Sequence, residues 1–198
     1  MATARPEVGQ VPVFASPGAP APAHTLGNPS PEYGALQVFV VRERRDGFVR
    51  VVLPIRPNAS SGWVRESDVT LARHDYRIDV SLSAHRFRVV RGAQVVVEGG
   101  AGIGTSDTPT PGGEYYTWVA IDPTNSGYGA YAYGLSGFSE KLSNFNGVDA
   151  RLGIHGTDDA SSIGRDVSHG CIRISNEHVT ALVEQVGLPL GVPVVVTA

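Results

Sequence analysis

The chain has one cysteine in 198 residues, so no internal disulfide can form. It has no block of like charge. Arg42, Arg44 and Arg45 are interleaved with Glu43 and Asp46, and the net charge is −3. A nucleic-acid surface is therefore not expected. It has no apolar run long enough to span a bilayer, and its opening Met1-Ala2-Thr3-Ala4-Arg5-Pro6 has no apolar signal core. Charged residues make up only 18%. What it has in quantity is Gly and Pro, 24 and 14 residues, set between Val-rich alternating runs. That is too little for a collagen-like or disordered chain and favours a mainly β fold. The length allows one large or two small domains.

The lone cysteine lies in the most informative stretch. Ile154-His155-Gly156-Thr157 is followed by Ser168-His169-Gly170-Cys171-Ile172-Arg173. A thiol attacks as thiolate, and a free thiol with a pKa of about 8.5 is mostly protonated at neutral pH. An imidazole from His155 or His169 can take that proton and return it to a leaving amine. Gly156 and Gly170 permit close backbone approach, and the N–H groups of Gly170 and Cys171 are candidate oxyanion donors. Two other readings fit the same residues. Cys171 can be a small core hydrophobe. With His155 and His169 it can be a zinc ligand, although the paired-cysteine spacing of structural zinc sites is absent.

Read in order, residues 1–73 suggest a small β module. Asp46-Gly47 lies between two β-rich runs, 37–41 and 48–53, a hairpin signal. Trp63 is either a core residue or a stacking platform. From residue 74 a meander begins, with Ile78, Val80 and Leu82 on one face and Phe87 and Val89 continuing the pattern. The glycine run 99–104 lacks a following Gly-Lys-Ser/Thr and is not a phosphate loop. Thr108-Pro109-Thr110-Pro111-Gly112 is a rigid turn. Residues 122–147 have weak periodicity and carry Tyr128, Tyr131, Tyr133, Phe138 and Phe145, a pattern expected of a lid. Asp158, Asp159 and Asp166 are expected to face solvent, as are His24, His74, His85 and His178. A helix is expected over 176–187, capped by Ser175 or Asn176, with Val179, Leu182, Val183 and Val186 inward.

The His-Gly-Thr and Ser-His-Gly-Cys-Ile-Arg segments together resemble the signature of the L,D-transpeptidase family with a YkuD-type catalytic domain. The likeness extends over about 120 flanking residues. The Asp46–Val51 and Ser61–Val64 stretches resemble a bacterial SH3-like module. The resemblance implies a small SH3-like β-barrel over 1–73, then a YkuD-type β-sandwich over 74–198 with one helix on the C-terminal side. It implies that Cys171 is the nucleophile, that His155 is the proton acceptor and donor, and that His169 supports the thiolate or the turn. In the family the residue after the base histidine helps orient the ring, often by its backbone carbonyl; here that residue is Gly156, so either the backbone supplies the bond or Thr157 helps. Ser168 and Gly170 shape the turn. Arg173 either binds a substrate carboxylate or stiffens the turn, and Tyr131 or Tyr133 contacts substrate. The implied partners are peptidoglycan stem peptides. The implied reaction releases a terminal D-alanine, forms a thioester, and passes the acyl group to an amine to give a 3-3 cross-link. With water as acceptor the same site is an L,D-carboxypeptidase. A non-catalytic wall-binding protein is a further alternative. No metal or cofactor is required, and a monomer is expected. An extracytoplasmic location follows, in the cell wall or a periplasm-like space, with a leader or anchor missing from this chain.

Overall fold

A computed structural model describes all residues except 123–125 and 146, and for residue 126 only the backbone. The chain divides into two compact units, Met1–His74 and Asp75–Ala198. It is mainly β, as the alternating runs indicate.

The first unit contains two three-stranded sheets. In one, Val38–Phe39, Ala2–Ala4 and Val69–Leu71 lie side by side; in the other, Val41–Arg45, Phe48–Val52 and Ser61–Arg65. Asp46 and Gly47 turn the hairpin with φ of 52° and 74°, the left-handed pair that matches strand twist. Val11, Val13, Phe39, Val49, Val51, Leu53 and Val64 fill its core. Trp63 lies outside this cluster but is buried as well, not an open platform. It is 6% exposed, and the Arg45 guanidinium stacks over its ring at 4.7 Å.

The second unit is built on one curled eight-stranded sheet. Its order is Gln94–Gly100, Arg86–Arg91, Tyr76–Ser81, Pro193–Thr197, Gly113–Ile121, Ala132–Phe138, Arg151–His155 and Ile172–Arg173. Alternation sorts side chains by face, so Ile78, Val80, Phe87 and Val89 point into one core. There they meet Leu135, Ile154, Ile172 and Val194 from the other strands, with Val179 and Leu182 from the helix.

Two expectations need correction. The stretch 122–147 is not simply a lid. It contains Ala132–Phe138, in which every residue is buried, between Gly113–Ile121 and Arg151–His155. A strand covered on both faces has no reason to alternate, so Ala-Tyr-Gly-Leu-Ser-Gly-Phe carries no period-2 signal. Part of the lid expectation falls on residues 123–125 and 146 and lies outside the described residues. The helix, in turn, is α only over Asn176–Thr180 and continues as a π turn over Ala181–Gln185. Val179 and Leu182 are buried as the spacing requires, whereas Val183 and Val186 are only partly covered.

Candidate active site

The base and the thiol arrive on adjacent parallel strands at one end of the sheet. Ile154 is paired with Ile172 and His155 with Arg173, which sets Cys171 level with Gly153. A Cβ built on Gly153 would lie 3.7 Å from the Cys171 sulfur. Gly153 and His155 are two residues apart, so their side-chain directions share a face. Imidazole and thiol therefore rise from the same side of the sheet, offset by about 7 Å along the strand.

His155 is 4% exposed. Its Nδ1 lies 2.6 Å from the carbonyl oxygen of Gly156. A carbonyl only accepts, so Nδ1 carries the proton and Nε2 is left as the basic nitrogen. Burial lowers the imidazole pKa to about 4; the Gly156 bond opposes this and the Arg173 charge adds to it. Gly156 is a requirement of packing. A Cβ there would come within 2.9 Å of Val179 Cγ1 and closer still to Asn176 Oδ1. Asn176 is fixed in turn, accepting from the Ala130 N–H at 2.9 Å and donating to Asp158 Oδ1 at 2.8 Å. Ser175 supplies the helix cap, accepting from the His178 N–H.

The thiol sits in a turn held by hydroxyls. Ser168 Oγ donates to the Cys171 carbonyl at 2.6 Å and accepts from the Gly170 N–H at 3.1 Å. Gly170 has φ of 117°, a conformation strained for any residue with a Cβ. Its N–H is thus committed to Ser168, which corrects its assignment as an oxyanion donor; the Cys171 N–H is the remaining candidate of the two. Thr110 Oγ1 donates to the Gly170 carbonyl at 2.9 Å, and Thr108 Oγ1 to the Ser168 carbonyl at 3.3 Å. Burial pushes the Cys171 thiol up, against the Gly153 backbone and the Arg173 charge, which lower it. The residue keeps intermediate exposure and is not sealed in the core. Raised thiol and lowered imidazole make the resting pair neutral.

The other expected residues separate. His169 is exposed, and its ring packs on Phe145 with centroids 5.1 Å apart. Arg173 has a buried Nε without a hydrogen-bond partner among the described residues. Tyr133 is 3% exposed and donates to the Leu188 carbonyl, so it is a core residue and offers substrate no surface. Tyr131 donates to Glu184 Oε1 at 2.7 Å. The tyrosine that meets the base is Tyr128, whose ring stands edge-on to His155 at 4.9 Å. Burial raises its hydroxyl pKa, and the Cys171 charge raises it further. Tyr128 was visible in sequence only as one of three tyrosines in a weakly patterned stretch.

His24 is exposed as expected, whereas His74, His85 and His178 are half-buried. His85 Nε2 lies 2.6 Å from Asp166 Oδ1, and His178 stands edge-on to Phe87 at 5.4 Å. Among the described residues no group of three or more His, Cys, Asp or Glu is arranged to hold a metal ion. No helix of the described residues is long and apolar enough to cross a membrane.

Comparison with known proteins gives the family of the second unit. The YkuD family, the L,D-transpeptidase catalytic domain, matches residues 75–196, more than half of the chain. A Bacillus licheniformis protein named as the L,D-transpeptidase YkuD is 37% identical over 123 residues, 62% of this chain and 66% of that protein. Its Bacillus subtilis namesake is 33% identical over 107 residues, 54% of this chain and 58% of that protein. The matched segment thus spans under two-thirds of these relatives' own length. An L,D-transpeptidase structure from Mycobacterium smegmatis superposes with a TM-score of 0.49 at 15% identity, covering 81% of this chain and 100% of that one. The chain belongs to the YkuD family of L,D-transpeptidase catalytic domains.

Proposed function

We propose that the protein is a peptidoglycan L,D-transpeptidase working through a thioester on Cys171. The observation that carries this reading is the shared sheet face of Cys171 and His155, with His155 held as the Nδ1-H tautomer by Gly156. In the first half-reaction, Cys171 Sγ attacks the carbonyl of the third residue of a tetrapeptide stem. His155 Nε2 takes the thiol proton as the S–C bond forms. The tetrahedral oxygen faces the Cys171 N–H. The C–N bond then breaks, and His155 returns the proton to the departing D-alanine amine. In the second half-reaction, His155 deprotonates an amine of a neighbouring stem, that amine attacks the thioester, and the thiol leaves. The product is a 3-3 cross-link.

A neutral resting pair suits this sequence, because proton transfer accompanies attack instead of preceding it. Arg173 serves substrate in this reading. Its charge lowers the pKa of both Cys171 and His155, and its buried Nε has no partner, so a stem carboxylate would complete its bonding. Tyr128 forms the wall beside His155. His169 and Phe145 border the thiol turn from the exposed side. The first unit, as an SH3-like module, positions the catalytic unit on the wall. The protein acts outside the cytoplasm as a monomer and binds no nucleic acid.

Mass spectrometry of products from purified tetrapeptide stems tests the transferase assignment. Stem dimers with released D-alanine are expected. Trimmed tripeptide without dimer would replace the transferase with an L,D-carboxypeptidase.

A further inference from the structure

The turn Thr108-Pro109-Thr110 reads from sequence as architecture alone. In the structure it reaches the thiol. Thr110 is 4% exposed, and both hydrogen-bonding roles of its hydroxyl are used. Oγ1 accepts from the Gly104 N–H at 2.9 Å and donates to the Gly170 carbonyl at 2.9 Å. Accepting from a backbone amide leaves the hydroxyl proton for Gly170, so its direction is set.

The Gly170 carbonyl belongs to the same peptide group as the Cys171 N–H. That group is planar and trans, so its C=O and N–H point in opposite directions. A donor that holds the carbonyl therefore aims the amide. It also polarises the peptide, which makes the N–H a stronger donor. The two flanking peptides are held independently, because Ser168 Oγ accepts from the Gly170 N–H on one side and donates to the Cys171 carbonyl on the other. The oxygen that becomes negative during attack sits on the carbon bonded to Cys171 Sγ. It therefore forms close to Cys171's own amide, and a donor aimed there acts on the developing charge.

We infer that Thr110 is a positioning residue for the reaction: through the Gly170 carbonyl it orients and strengthens the Cys171 N–H as the oxyanion donor. The inference rests on the thioester reading and sharpens it. It separates two properties of the site, thiol nucleophilicity and stabilisation of the tetrahedral oxygen, and assigns Thr110 to the second.

The test uses the whole chain as wild type, Thr110→Val and Thr110→Ser. Valine keeps the shape and removes the hydroxyl; serine keeps the hydroxyl. Two rates are measured on each. Acylation by a tetrapeptide stem ending in D-alanine, followed by intact mass, needs the oxyanion donor. Alkylation of Cys171 by iodoacetamide needs thiolate and forms no oxyanion. Removing an oxyanion donor outright costs about 10²–10³-fold, so a misaimed one is expected to cost roughly 10–100-fold in acylation. In Thr110→Val that loss should appear in the maximal rate, with half-saturating stem concentration and alkylation both within about two-fold of wild type. Thr110→Ser should recover acylation to within about three-fold. Thr110→Val acylating at the wild-type rate would overturn the inference. So would acylation and alkylation falling together, which would mark a general loss of the turn, or serine failing to recover the rate. A wild-type chain that never acylates would overturn the thioester reading and this inference together.

Discussion

The two halves of the site are held by different means. The thiol turn is fixed by side-chain hydroxyls: Ser168 bonds on both sides of Gly170, Thr110 holds the Gly170 carbonyl, and Thr108 holds that of Ser168. The base is fixed by backbone and packing. His155 has one carbonyl partner, Gly156, and that residue is wedged against Asn176 and Val179. The nucleophile's geometry is therefore open to adjustment by single hydroxyl deletions, whereas the base tolerates little change in volume. The electrostatics follow the same division. Burial dominates both groups, yet the thiol also has an amide and a cation lowering its pKa, whereas only the Gly156 bond raises that of the imidazole.

The largest effect should come from the base. His155→Gln is expected to slow acylation of Cys171 by about 10²–10⁴-fold, the usual contribution of a positioned general base. Iodoacetamide alkylation measured from pH 7 to 10 should change far less. Equal losses in both would mean that His155 acts on the thiol's ground state rather than in the transition state.

Burial of His155 also predicts a pH dependence of stability. The imidazole has a pKa of about 4 in the fold, below an unfolded value of about 6.5. Between these values the unfolded chain binds more protons. Stability is then complete above about pH 6.5 and is lost as pH falls towards 4, by on the order of 3 kcal/mol. Denaturant unfolding of wild type and His155→Gln across this window checks the sign. The variant should show the shallower slope, and parallel slopes would contradict the buried neutral ring.

Gly156→Ala sharpens the packing half of the comparison. The added methyl meets an Asn176 side chain pinned at both ends, so a cost of about 1–3 kcal/mol is expected from overpacking. Thermal unfolding of the full chain reads this loss. No change in midpoint would show that Asn176 moves freely. The smallest effect is expected for Tyr131→Phe, whose hydroxyl reaches Glu184 on the helix. Acylation should stay within about two-fold of wild type, as for most surface substitutions. A large fall would assign the Tyr131 hydroxyl to the substrate groove.

The same division explains what was legible in sequence. Ile78, Val80, Phe87 and Val89 alternate because one face of their strands is covered, so the meander could be read directly. Cys171, His155 and the glycines beside them lie close in sequence and carry distinctive chemistry. The strand Ala132–Phe138 was hidden because both faces are buried, which erases alternation. Tyr128 and Tyr133 could not be told apart by type; only the pairing of Tyr133 with Ile154 inside the sheet shows which is core. Thr110 and Asn176 were unremarkable as a turn residue and a helix opener. The bonds from Thr110 to Gly170 and from Ala130 to Asn176 span 60 and 46 residues of sequence, and no local pattern encodes those pairings.

Intact-mass measurement of the chain incubated with a tetrapeptide stem ending in D-alanine tests the central claim most directly. The account predicts an adduct with the mass of the stem less its terminal D-alanine, located on Cys171 by peptide mapping and absent from Cys171→Ala. An adduct that persists in Cys171→Ala, or a wild-type chain that releases D-alanine without passing through any adduct on the thiol, would contradict it.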